Sequence, residues 1–132
     1  MTTPELFVID TNSLIAYFHD VFKQDHYLSN RMVKVFEAAL SPNEGRIKVS
    51  IPSIVFVEIF EKWFRDQEFE RRFYFEVFYP IKESPNIEIK PIDKEVLHEL
   101  LSIKGILINH DLHDKIILAS AISAWSIEVN KP

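Results

Sequence analysis

Three acidic residues, Asp10, Glu58 and Asp114, stand where a carboxylate can do more than keep the chain in solution. Converging carboxylates can act as general acid and base, or hold a hard divalent cation that prefers oxygen ligands. Asp10 follows the apolar run Leu6-Phe7-Val8-Ile9 and precedes a second one, Leu14 to Phe18. The first run reads as a buried strand that delivers Asp10 to its C-terminal end, where a helix begins. In open α/β sheets, ligands gather at that edge. Helix capping is the competing role, because Asp, Thr and Asn are all favoured at helix N-termini, and Asp10-Thr11-Asn12 supplies one of each. An Asp so placed also suits a phosphatase that forms an aspartyl-phosphate. That chemistry usually needs a second Asp nearby, and Thr11-Asn12 offers none.

Glu58 falls early in an amphipathic segment, on a polar stripe with Glu61, Lys62 and Arg65. A solvated ion pair with Lys62 at i, i+4 explains it without chemistry. Its place at the edge of the stripe, beside Ile54 and Val55, also lets it turn away from bulk water. Asp114 projects on a helical wheel among Ile117, Leu118, Ala121 and Trp125, the apolar side. A carboxylate there needs compensation, because burying an unpaired charge is costly. The helix N-terminus supplies some compensation and a bound cation supplies more. Asp111 is the rival cap. His19, His26, His98, His110 and His113 lack the spacing that sets two imidazoles on one helical face. His113 adjoins Asp114 and is a candidate to touch the same site. Neither a Gly-rich phosphate loop nor G-x-S-x-G is present, which argues against P-loop ATPases and α/β-hydrolases.

The elements that would position these acids alternate between strand and helix periodicity. Helices are expected over Ser13 to His19, Asn30 to Leu40, Pro52 to Phe64 and Asp66 to Tyr79. Asp20 to Ser29, Ser41 to Gly45 and Pro80 to Pro85 read as breaks. Ile47-Val49-Ile51 and Ile87-Ile89 alternate as strands, the latter extending as far as Ile92. Asp93 suits an N-cap for a helix through Leu101 that Gly105 ends. Ile106-Leu107-Ile108 is ambiguous. Ile116 to Trp125 is apolar nearly all round, as a buried helix is, and Ile127 to Val129 is a candidate strand. The aromatic run Phe69, Phe73, Tyr74, Phe75, Phe78 and Tyr79 suits core or dimer-interface packing. Stacking on bases, with Arg65, Arg71 and Arg72 at phosphates, is the alternative.

The bulk numbers set outer bounds. A chain of 132 residues with 47% hydrophobic residues is one domain with a real core. Two Gly argue against an all-β design rich in tight turns, and the absence of Cys removes disulfide and thiolate chemistry. A net charge of -5 differs from the basic balance of a protein that coats a duplex. Nucleic-acid contact would have to be local or assisted by cations. With no leader and no apolar run of roughly 18 residues, the expectation is a soluble, cytoplasmic protein without membrane contact. The fold class expected is α/β, doubly wound, with a mostly parallel central sheet and helices on both faces.

Taken together, Ile9-Asp10-Thr11-Asn12-Ser13-Leu14-Ile15, Ile51-Pro52-Ser53-Ile54-Val55-Phe56-Val57-Glu58 and Leu112-His113-Asp114-Lys115-Ile116-Ile117-Leu118-Ala119-Ser120-Ala121 resemble the PIN-domain family, especially its small VapC-like toxin members. The resemblance runs in the family's order from residue 6 to about residue 125. It implies a doubly wound sandwich and metal-dependent cleavage of RNA phosphodiesters. Asp10, Glu58 and Asp114 would then be the catalytic, metal-holding acids for Mg2+ or Mn2+. Thr11, Asn12 and His113 would position the acids or the substrate. It also implies a toxin restrained by an antitoxin protein, and a homodimer is the expected assembly. The family usually continues into a last strand near a further Asp. This sequence has Ser126-Ile127-Glu128-Val129-Asn130-Lys131-Pro132 there, so the sheet is expected to lack that strand. The alternative is a catalytically impaired PIN-like module that binds RNA or a protein partner.

Overall fold

The computed structural model describes residues 5–25, 28–42, 46–103 and 111–129. Its order is β1 (Glu5–Val8), α1 (Thr11–Tyr17), α2 (His19–Phe22), α3 (Asn30–Ala39), β2 (Ile47–Pro52), α4 (Ser53–Trp63), α5 (Gln67–Arg72), a π-helical segment (Phe73–Phe78), α6 (Tyr79–Glu83), β3 (Ile87–Lys90), α7 (Lys94–Ile103) and α8 (Leu112–Val129). The three strands form a parallel sheet in the order β1-β2-β3.

Register explains the core. Phe7 pairs with Val49 and Val49 with Ile87 across the sheet. Because strand side chains alternate, Phe7, Ile9, Ile47, Val49, Ile51, Ile87 and Ile89 share one face. All seven belong to, or pack against, the main core with residues of α1, α3, α4, the π segment and α6. That grouping follows from handedness. Both crossovers step the same way along the sheet, and right-handed connections then lay their helices on one face. The opposite face is more polar, with Lys48, Ser50, Glu88 and Lys90. There α8 packs on β2, and Ala124 closes a cavity of about 260 Å³ against these residues. A smaller core joins Ile54 of α4 to Val96 and Ile103 of α7 and Ile116 and Ala119 of α8. The fold is therefore α/β with an open, three-stranded parallel sheet and helices. Among the described residues the strand order does not reverse. No described helix is long and apolar enough to cross a membrane.

Several boundaries differ from expectation for physical reasons. Asp20 to Ser29 begins with a helical turn, α2, that buries Val21 and Phe22 and ends on Lys23 at φ 55°. Pro52 closes β2 rather than opening the helix, and serves as the N-cap of α4 without a side-chain bond. Pro80 does not break the aromatic helix. It lies in the first turn of α6, directly after the π segment, where Tyr79 N–H reaches back five residues to the Tyr74 carbonyl. A proline ring inside a regular α-helix would clash with the preceding turn, and the wider π turn is where this helix accommodates it. The backbone over 127–129 is helical, not a strand. Gly105 and Ile106 to Ile108 lie outside the described residues.

Candidate active site

The β1–β2 ladder ends where Ile9 N–H donates to the Ser50 carbonyl, 3.0 Å. The next residue, Asp10, stays extended and accepts the Ser13 N–H on Oδ1 at 2.8 Å. It is thus the N-cap of α1, and the capping role is realised. Asp10 is exposed, as is Asn12, while Thr11 is buried. The Thr11 hydroxyl donates to Oε2 of Glu58 at 3.3 Å. Two chain segments 47 positions apart therefore meet at the C-terminal edge of the sheet. Burial orders Thr11, and Thr11 fixes one oxygen of Glu58.

Glu58 lies on α4 with its side chain only 17% exposed. Its other oxygen, Oε1, accepts from Lys62 Nζ at 3.4 Å, the expected i, i+4 pair. Ile54, Glu58 and Lys62 repeat at four-residue spacing and form one stripe of α4. Ile54 packs into the small core with Ile116 and Ala119, so this stripe faces α8. At the start of α8, Asp111 Oδ1 accepts the Asp114 N–H at 2.8 Å, which makes Asp111 the cap. That bond is the main cause holding the Asp111 carboxyl below the ordinary carboxylate range, with the His113 and Lys62 charges adding to it. Lys62 thus acts electrostatically on acids of two helices.

Asp114 departs from the wheel projection. It is exposed. The first turns of α8 leave even Leu112 and Leu118 exposed, so an apolar position there is not a buried one. His113 is half-buried between them in sequence. The donor set Asp10, Glu58 and Asp114 is right in kind for a hard dication, since all its ligands are carboxylate oxygens. It is not assembled: among the described residues, no three His, Asp or Glu side chains are gathered so as to hold a metal ion.

Lys62 entered the sequence reading only as a surface partner of Glu58. Its reach to α8 depends on the packing of two helices and has no local signal. The arginines near the aromatic helix are partly committed. Arg72 is held by Glu76 at 2.8 Å and by the Asp20 carbonyl at 3.3 Å, and Arg65 Nε donates to the Lys62 carbonyl. The aromatic helix divides its rings between two roles. Phe73 is buried, while Tyr74, Phe75 and Tyr79 are exposed. Phe60, Phe64, Phe73, Tyr74 and Phe78 line an apolar groove of about 300 Å³ with Glu70 at its side.

No family model, curated protein or solved structure matches the chain.

Proposed function

We propose that this chain is a PIN-like α/β domain acting as a metal-dependent endoribonuclease that hydrolyses RNA phosphodiesters, as the toxin of a toxin–antitoxin pair. The observation that supports it best is the Thr11–Glu58 hydrogen bond. It ties the acid-bearing end of β1 to the acid-bearing flank of α4 at the sheet edge where α/β proteins bind ligands. Asp10, Glu58 and Asp114 are the residues that would hold Mg2+ or Mn2+. Such an ion, when bound, activates water and offsets charge on the phosphoryl oxygens. Thr11 orients Glu58. The exposed Asn12 amide is available to a substrate phosphate, and His113 lies beside the acids of α8.

The test is cleavage of single-stranded RNA by the purified protein with and without Mn2+. Asp10→Asn should reduce the metal-dependent rate on the order of 100-fold, the scale of losing one group that stabilises the transition-state charge. Undiminished cleavage would remove Asp10 from the chemistry.

A second reading has its own support. The described acids are not gathered for a metal, and exposed apolar surface of the kind found around Tyr74 and Phe75 marks interaction sites. A PIN-like module that binds RNA or a protein partner without cutting would show RNA retention with no Mn2+-dependent cleavage.

A further inference from the structure

The cavity of about 260 Å³ between α8 and the polar face of the sheet plays no part in the acid-bearing edge. Most of its lining comes from the starts of the strands, whereas Asp10 and Glu58 lie beyond their ends. Ser50 lines it, is 3% exposed, and has no hydrogen-bond partner for its hydroxyl among the described residues. Ser120 and Ser123 of α8 are also buried without partners, but Ser50 is the one that lines the cavity. Folded proteins rarely leave a buried hydroxyl unpaired, so Ser50 calls for an occupant. Lys90 lines the same space with a side chain only 6% exposed. An ammonium carries three donors, and Lys90 gives one to Asp93 Oδ2 at 2.8 Å. Two N–H groups remain for a ligand.

Charge decides which ligand fits. Ser50 pairs with Glu88 across the ladder, and Lys48 lies two residues before Ser50 on the same face of β2. A positive and a negative side chain therefore flank one hydroxyl, and all three line the cavity. Lys48 reaches the Pro85 carbonyl at 3.4 Å, and among the described residues neither Lys48 nor Glu88 has an ion-pair partner. The Lys90 charge is already met by Asp93. A plain anion would be repelled by Glu88 and a plain cation by Lys48. We propose that the cavity binds a small zwitterion of the α-amino-acid type. Its carboxylate accepts from Lys48, Lys90 and the Ser50 hydroxyl, and its ammonium donates to Glu88. Leu6 and Ala124 give an apolar side chain somewhere to lie. The volume falls just short of pockets for drug-sized ligands, about 300–1,000 Å³, which suits a molecule of this size. Water satisfies a lone hydroxyl, but the two opposite, unpaired charges select a ligand that carries both signs.

The experiment is an amide NMR titration of the 15N-labelled full chain with L-leucine, 4-methylpentanoate and 3-methylbutylamine. The second probe is leucine without its amine, and the third is leucine without its carboxylate. L-Leucine should shift the amides of β2 and β3 and bind at least about tenfold more tightly than either half, the scale of one charge-assisted hydrogen bond. Glu88→Gln should weaken L-leucine about tenfold and tighten 4-methylpentanoate. Lys48→Met should weaken L-leucine about tenfold and leave 3-methylbutylamine no weaker. Both side chains lie at the less buried part of the lining, so the variants should keep the wild-type spectrum elsewhere. Three results would each overturn the proposal: no shifts with L-leucine, 4-methylpentanoate binding as tightly as L-leucine, or both variants binding L-leucine as the wild type does. None of them bears on RNA cleavage, so the nuclease reading stands or falls separately.

Discussion

Asp10 and Asp93 occupy equivalent places at the two ends of the described sheet, and they differ in one oxygen. Each follows a strand and opens a helix. Asp10 Oδ1 accepts Ser13 N–H at 2.8 Å, and Asp93 Oδ1 accepts Val96 N–H at 3.0 Å. The second oxygen of Asp93 accepts from Lys90 Nζ at 2.8 Å, and that lysine side chain is only 6% exposed. No other hydrogen bond from a described residue reaches the Asp10 side chain. Capping is therefore common to both and explains neither fully. At Asp93 the remaining charge neutralises a buried ammonium, so its purpose is structural. At Asp10 the second oxygen has no such partner among the described residues, and the next residue, Thr11, is the one that holds Glu58.

The sharpest way to break this contrast is to remove each charge in turn. Asp10→Asn keeps a good cap, so urea denaturation should show a change below about 0.5 kcal/mol, against the hundredfold loss expected in cleavage. A large loss of stability would make Asp10 a second Asp93. Asp93→Ala removes a cap and strands a buried lysine, and should cost about 3 kcal/mol in the same measurement. Thr11→Val tests the link between the two acid-bearing segments. It preserves shape and should cost about 1 kcal/mol, with cleavage falling about tenfold, the scale of losing an orienting partner. Retained cleavage would uncouple Thr11 from the site. The smallest effect lies in acid. The Lys90 hydrogen bond first, and the Val96 N–H second, hold the Asp93 carboxyl below its ordinary range. A depressed folded pKa adds stability that is complete above the unfolded value of about 3.9 and is lost as pH falls through the folded one. Asp93→Asn should therefore flatten the decline in urea midpoint below about pH 4.

What the sequence revealed and what it hid follow from the range of the forces involved. The strands were readable because Phe7 and Ile9, Val49 and Ile51, and Ile87 and Ile89 alternate toward one core. The caps at Asp10, Asp93 and Asp111 were readable because capping acts over three residues. Asp114 was misjudged because a helical wheel assumes uniform cover, whereas α8 starts with apolar residues in solvent. Lys90 gave no signal, since its burial depends on α8 covering the polar face of the sheet. The meeting of Thr11 with Glu58 spans 47 positions. It was expected only from the resemblance of three motifs, and no local pattern encodes it.

The π-helical segment has a consequence for how the chain tolerates insertion and deletion. Six residues there wind more loosely than an α-helix, and Phe73 and Val77 within them, with Ile81 just beyond, all belong to the core. Deleting a single residue between Phe73 and Phe78 would let the segment close as a regular α-helix. Only the extra residue of the wide turn would be lost, so Ile81 and β3 would keep their places while Pro80 met an ordinary helical turn. The segment thus absorbs a deletion that a regular helix, turning about 100° per residue, would pass on to everything after it.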